Sequence, residues 1–282
     1  MSNKIFSKIE KALQCSITKQ NIAGGGCIAQ SSVITTNDKR SFFLKQGFSG
    51  SMFRNEARGL QELAKTKAIR IPEVILVDDD LLLLEAIRSG RKKAGFFTEF
   101  GQAFARMHLF THSSYGFDED NFIGSTPQVN KWMDNWADFY FTNRLLFQFK
   151  LAEKNGHSDN SFRKAFAVIE QNIETILKGS EEPPCLLHGD LWGGNYMVDD
   201  RGEAVLIDPA VYYGHREADL AMTKLFGGFS DDFYTSYNAA YPLKDGYAYR
   251  ENIYLLYHVL NHLNLFGASY KQQAIQLMNS YQ

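Results

Sequence analysis

The stretch His188-Gly189-Asp190-Leu191-Trp192-Gly193-Gly194-Asn195 constrains the fold of this chain more than any other. It lies between two short apolar runs, Cys185-Leu186-Leu187 before it and Tyr196-Met197-Val198 after it. Thirteen residues beyond Asn195 stands Asp208, at the end of a third run, Ala204-Val205-Leu206-Ile207. Runs of three or four apolar residues bounded by turn formers read as short strands, so the segment predicts a small β island with three polar side chains at its ends. Taken singly, Asp beside Gly and an isolated Asn are turn residues. His188 reads as a structural histidine that hydrogen-bonds the loop rather than as a proton carrier. The coincidence of three such positions with strand ends argues for a site.

The order of elements around the island predicts an α+β chain. Ile5, Phe6, Ile9 and Leu13 recur at helical spacing. Residues 22–45 read as strands, with Gly24-Gly25-Gly26 near their start, a turn at Asn37-Asp38-Lys39-Arg40 and a returning strand at 41–45. Phe53, Ala57, Leu60 and Ala64 mark a helix. Two apolar runs follow, 74–77 and 81–84, separated by the turn Asp78-Asp79-Asp80. The polar stretch 89–95 reads as a flexible connection. Beyond it helices dominate: Phe97 to Leu109, 132–151, 162–177 up to Pro183-Pro184, and from Glu217 to the C-terminus. The expected division is a small antiparallel β lobe with one or two helices over 1–88, a hinge near 85–88, and a larger, mostly helical lobe over 89–282.

Composition narrows the function classes. A net charge of -2 provides no basic excess for a nucleic-acid backbone. An apolar run such as Leu81 to Leu84 is far below the roughly 20 residues of a membrane span. The first sixteen residues lack the apolar core of a signal peptide. Three scattered cysteines, Cys15, Cys27 and Cys185, suit a reducing compartment rather than a disulfide framework or zinc site. The expectation is a soluble cytoplasmic protein that binds neither nucleic acid nor membrane.

His-x-Asp with an asparagine five residues after the aspartate is the spacing of the protein-kinase catalytic loop. Phosphoryl transfer builds charge on the γ-phosphate oxygens, so the site needs ATP and Mg²⁺ held by hard oxygen ligands. Asn195 offers a neutral carbonyl and Asp208 a carboxylate. Asp190 would stay outside the metal shell and accept the proton of the attacking hydroxyl. Gly193 and Gly194 would let the backbone fold between base and ligand. In the small lobe, Lys45 would bind the α- and β-phosphates and Glu56 would orient it, with Arg54 and Glu62 as alternatives on the same helix. Glu56 is preferred because it sits at the edge of the face defined by Phe53, Ala57 and Leu60. Gly24, Gly25 and Gly26 would cover the phosphates with backbone amides. The backbone of Glu85, Ala86 and Ile87 would meet adenine.

These motifs, with Ile207-Asp-Pro-Ala-Val-Tyr-Tyr-Gly-His-Arg-Glu-Ala-Asp-Leu-Ala-Met222, Leu225-Phe-Gly-Gly-Phe229, Asp120-Asn-Phe-Ile-Gly-Ser125 and His258-Val-Leu-Asn-His-Leu-Asn-Leu-Phe-Gly267, resemble the fructosamine kinase (ketosamine 3-kinase) family. That family belongs to the protein-kinase-like group that includes aminoglycoside and choline kinases. The resemblance spans nearly the whole chain. It implies a two-lobed protein-kinase-like fold and ATP-dependent phosphorylation of the third-carbon hydroxyl of ketosamines. The phosphorylated adduct then eliminates and frees the amine, which is deglycation. Family members take fructosamines, ribulosamines or erythrulosamines, on free lysine or on protein, and both choices stay open here, as does monomer against homodimer.

Trp192 would cover the sugar or meet the substrate ammonium through its ring face, and His262 would hydrogen-bond the sugar; core packing is the competing reading for both. Asp219 would brace the catalytic loop. Cys27 reads either as a small strand side chain or as an exposed redox-active thiol. Two other functions compete. One is a kinase of the same fold acting on an aminoglycoside or amino alcohol. The other is a catalytically silent pseudokinase, which the presence of Lys45, Asp190, Asn195 and Asp208 opposes.

Overall fold

A strand puts alternate side chains on opposite faces, and this explains how four consecutive leucines can all be buried. In the computed structural model, which describes residues 2–23, 30–47 and 50–282, β5 (Leu81–Glu85) lies inside a sheet of order β1-β2-β3-β5-β4. The other strands are β1 (Ile17–Ile22), β2 (Gln30–Thr36), β3 (Ser41–Gln46) and β4 (Val74–Asp78), and all neighbours pair antiparallel. Leu81 and Leu83 face Ile5 and Ile9 of α1 (Ser2–Leu13), together with Ile34, Phe42 and Leu44. Leu82 and Leu84 face Phe53, Ala57 and Leu60 of α2 (Met52–Lys65). The sheet is therefore covered by one helix on each face. Each fully buried Leu or Ile contributes about 1.5–3 kcal/mol.

The same alternation positions Lys45. Phe42 and Leu44 belong to the α1 side of β3 and Phe43 packs on the α2 side, so Lys45 points towards α2 as well. The chain forms two compact units. The first is Met1–Phe96 with Tyr196–Pro209; the second is Phe97–Asn195 with Ala210–Gln282. The hairpin β9 (Tyr196–Val198) and β10 (Ala204–Leu206) thus packs with the first unit, whereas the sequence-based division at 88/89 assigns it to the second lobe.

The second unit is mainly helical. Its elements are α3 (Phe96–His108, whose first residue closes the first unit), the hairpin β6 (Asn121–Ile123) and β7 (Thr126–Gln128), α4 (Trp136–Tyr140), α5 (Phe147–Lys154) and α6 (Asn160–Leu177). A strand pair, β8 (Cys185–Leu187) with β11 (Tyr212–Gly214), is followed by α7 (Arg216–Lys224), α8 (Asp231–Ala240), α9 (Tyr247–Phe266) and α10 (Lys271–Asn279). Rings fill the core. Phe100 and Phe104 of α3 meet Phe233 of α8, and Tyr140 meets Tyr254 and Tyr257 of α9. The buried Arg144 guanidinium lies 4.0 Å from the Tyr212 ring centre and donates to the carbonyl of Val129. No helix among the described residues is long and apolar enough to cross a membrane.

Several expectations change. β1 was not foreseen: its sequence is polar and five of its six residues are exposed, so no alternation shows. The helix expected over 132–151 is α4, a π-helical segment (Phe141–Leu146) and α5. The helix expected over 162–177 is found as α6, which starts two residues earlier and ends at Leu177 as expected. The connection expected to be flexible is held to the β9–β10 hairpin: Ser89 bridges Asp199, and the Gly90 amide donates to the Val198 carbonyl at 2.9 Å. Gly24, Gly25, Gly26 and Cys27 lie outside the described residues, so neither the phosphate cover nor the thiol switch can be placed.

Candidate active site

The Lys45 ammonium donates to Glu56 Oε1 at 2.7 Å and to Asp208 Oδ1 at 2.5 Å. Burial alone would lower its pKa, but the two carboxylates outweigh burial and raise it above the ordinary lysine value. Lys45 is therefore a fixed cation. The alternatives to Glu56 are engaged elsewhere, Arg54 with Asp78 and Asp79 and Glu62 with Lys65. Asp208 follows β10 with φ +54°, a left-handed conformation uncommon for an aspartate. Residues 45, 56 and 208 thus form one cluster in the first unit.

The second unit carries the loop with Asp190. The Asp219 carboxylate of α7 accepts from the amides of His188 at 2.7 Å and Gly189 at 2.8 Å. His108 of α3 meets the same carboxylate at 3.2 Å, and its other ring nitrogen meets the Tyr237 hydroxyl at 2.7 Å. Burial works against the Asp219 charge, yet the hydrogen bond from His108 and the loop amide lower its pKa. A buried anion thus grips the backbone immediately before Asp190, the bracing role expected of Asp219. His188 is fully buried, and its Nδ1 accepts from the Asp190 amide at 3.3 Å. Asn195 Nδ2 donates to the carbonyl of Asp190 at 2.8 Å and to its carboxylate at 3.1 Å. Asp190 and Asn195 are therefore tied together within the loop.

Within the loop 188–195 the steric demand for glycine falls on two positions. Gly189 has φ +82°, and a Cβ there would lie 2.0 Å from the Ala210 carbonyl oxygen. A Cβ on Gly194 would lie 2.4 Å from the Trp192 ring. Gly193, expected to share this role, has nothing within 4 Å of its virtual Cβ.

Trp192 is 36% exposed, and its ring centre stands 5.4 Å from that of Phe226. Phe226 in turn lies 5.0 Å from His262. The two substrate candidates are thus joined by a ring that the sequence reading did not single out, although it stands inside the motif 225–229. The Nδ1 of His262 donates to the His258 carbonyl at 2.7 Å, which leaves Nε2 as an acceptor on a neutral ring. Burial lowers the His262 pKa.

The Glu85 amide donates to the Glu73 carbonyl at 2.9 Å, so of the segment expected to meet adenine, Glu85 spends its own donor beside the sheet. Asn195 in the second unit and Asp208 in the first are each of a kind that Mg²⁺ takes as an oxygen ligand. Asn195 commits its nitrogen to Asp190 and keeps a carbonyl oxygen, and Asp208 keeps Oδ2 beside the oxygen given to Lys45. Among the described residues no group of three or more His, Cys, Asp or Glu side chains could hold a metal by itself.

A family model described as fructosamine kinase matches residues 1–282. The chain belongs to the fructosamine kinase family. The chloroplastic protein-ribulosamine 3-kinase of Arabidopsis thaliana is 40% identical over 274 residues, covering 94% of this chain and 83% of its own. A Synechocystis sp. protein named "Probable ketoamine kinase" is 40% identical over 268 residues, 93% of this chain and 90% of its own. A crystal structure from Thermobifida fusca, assigned as a fructosamine-3-kinase, superposes with a TM-score of 0.90 at 30% identity over 99% of this chain and 98% of that one. An aminoglycoside phosphotransferase superposes with a TM-score of 0.64 at 15% identity over 99% of both chains, which is a likeness of fold. This member of the fructosamine kinase family has the α+β protein-kinase-like fold, and its Lys45–Glu56–Asp208 cluster and Asp190 loop lie within it.

Proposed function

We infer that this protein transfers the γ-phosphoryl group of ATP to the third-carbon hydroxyl of a ketosamine, with Asp190 as general base. The observation that carries the reading is the Asp190–Asn195 loop, clamped through its backbone by Asp219, in a chain of the fructosamine kinase family. Lys45, held charged by Glu56 and Asp208, would take the α- and β-phosphates. Ala86 and Ile87 would offer backbone groups to adenine. Asn195 and Asp208 would hold Mg²⁺, which when bound offsets charge on the triphosphate.

Asp190 accepts the hydroxyl proton as the oxygen attacks phosphorus, and ADP leaves. The phosphorylated ketosamine then eliminates inorganic phosphate, and water hydrolyses the resulting unsaturated adduct to a dicarbonyl sugar and the free amine. Trp192 would cover the sugar or the substrate ammonium, and His262 Nε2 would accept from a sugar hydroxyl. The relatives' names favour a ribulosamine as the sugar. A cytoplasmic setting belongs to the same reading, supported by the free thiols of Cys15 and Cys185.

ADP release with ribuloselysine and fructoselysine, against kanamycin, choline and homoserine, tests the acceptor, with NMR of the product to identify the phosphorylated carbon. Release driven by kanamycin or choline and by neither ketosamine would refute the reading. Asp190→Asn should lower kcat by about 10²–10⁴-fold while nucleotide affinity falls far less. Unchanged turnover in that variant would remove Asp190 from the role of base.

A further inference from the structure

Arg70 connects three parts of the first unit. Its carbonyl accepts from the Leu206 amide at 3.0 Å, and its backbone bridges Val205 in parallel, just upstream of Asp208. Its guanidinium forks. Nη1 donates to Asp199 Oδ2 at 2.6 Å, and Nη2 donates to Glu85 Oε1 at 2.5 Å. Asp199 is fully buried at the turn of the β9–β10 hairpin, where its Oδ1 accepts from the amides of Arg201 and Glu203, both at 3.0 Å. Glu85 is the last residue of β5, and its Oε2 accepts from the Glu73 amide at 3.4 Å.

Past Glu85 the chain runs through Ala86, Ile87 and Arg88 and meets the same hairpin again. Ser89 bridges Asp199 and Gly90 donates to Val198. A side chain on Gly90 would place its Cβ 2.1 Å from the Asp199 carbonyl oxygen, so the approach is close. The segment 86–88 is thus tied at both ends to one hairpin, and the strand that closes that hairpin leads into Asp208.

We propose that Arg70 is the positioning residue that fixes the adenine-binding segment relative to Asp208, so that the two ends of the nucleotide are held in register. The proposal rests on the nucleotide reading given above. An exposed ion pair would carry little. Asp199 is not exposed, however, and among the described residues Arg70 is the cation paired with it, so without Arg70 a buried carboxylate would lose its counter-charge. The planar fork reaches Asp199 with one nitrogen and Glu85 with the other, each along its own N–H direction.

Binding of a fluorescent ADP analogue to the purified full chain, with steady-state kinetics, tests the proposal. Arg70→Met should weaken nucleotide binding and raise the ATP KM about tenfold, with the ketosamine KM and the kcat at saturating ATP within about twofold of wild type. Asp199→Asn keeps Oδ1 for the two turn amides and turns a donor towards Arg70. It should weaken nucleotide binding in the same direction, and combining it with Arg70→Met should add little. If Arg70→Met fails to fold, Glu85→Gln, which loosens one arm, should still show the selective rise in ATP KM.

Wild-type nucleotide affinity in folded Arg70→Met, or in Glu85→Gln where Arg70→Met fails to fold, overturns the proposal. So does a non-selective loss, in which both KM values rise while kcat and Tm fall together. If the wild type binds nucleotide but phosphorylates no ketosamine, the acceptor reading fails and this one still stands on the binding data. If the wild type binds no nucleotide, both fall.

Discussion

Gly194 is the residue at which a single atom would be most informative. Its virtual Cβ meets the far edge of the Trp192 ring rather than backbone, so Gly194→Ala would displace the ring while the loop holds. If the ring face meets the substrate, the ketosamine KM should rise about fivefold, the scale of one cation–π or stacking contact, with ATP affinity unchanged. Paired kinetics and tryptophan fluorescence check this. A shifted spectrum with an unchanged ketosamine KM would leave Trp192 without a substrate role. Glu56 is the corresponding residue of the nucleotide cluster. Glu56→Gln should lower kcat/KM for ATP about tenfold or more, since a hydrogen bond between charged groups is worth about 1.5–3 kcal/mol. Initial rates over an ATP series measure it, and wild-type values would show that Asp208 alone suffices to orient Lys45.

The elements show how far the sequence could be read. The loop 188–195 was legible because its chemistry lies within eight residues, where spacing alone narrows the roles. Lys45 and Glu56 were legible from the kinase order of elements, a lysine ending a strand and an acid in the next helix, and the buried face of α2 then selected Glu56. β1 was not legible, because an edge strand that buries almost nothing has no hydrophobic alternation. The π-helical segment has no sequence signature of its own. Arg70 could not be paired with Asp199 because 129 residues separate them. Phe226 likewise becomes relevant only when the fold lays α7, the loop and α9 together. Local chemistry and local period could be read, and pairings made across the chain could not.

At the scale of the whole molecule, buried histidines set the response to acid. Burial lowers the pKa of His108, His215 and His258, with His258 reaching about 3. In the unfolded chain each would titrate near about 6.5, so below that pH the unfolded state takes up protons that the folded state refuses. Stability should fall as pH drops from 6.5 towards 3, by about 1.4 kcal/mol per pH unit for each histidine that stays neutral. Thermal melts between pH 7 and pH 5 measure the slope; a Tm flat across that range would place these rings in a wetter setting. The discontinuity of the first unit has a consequence of another kind. Lys45 and Asp208 are 163 residues apart in sequence, and the 196–209 segment is separated from the rest of its unit by 97–195. A ribosome adding about 5–20 residues per second delivers Asp208 roughly 8–30 seconds after Lys45. Through that interval the nascent sheet carries a lysine and a glutamate whose third partner has not yet been made.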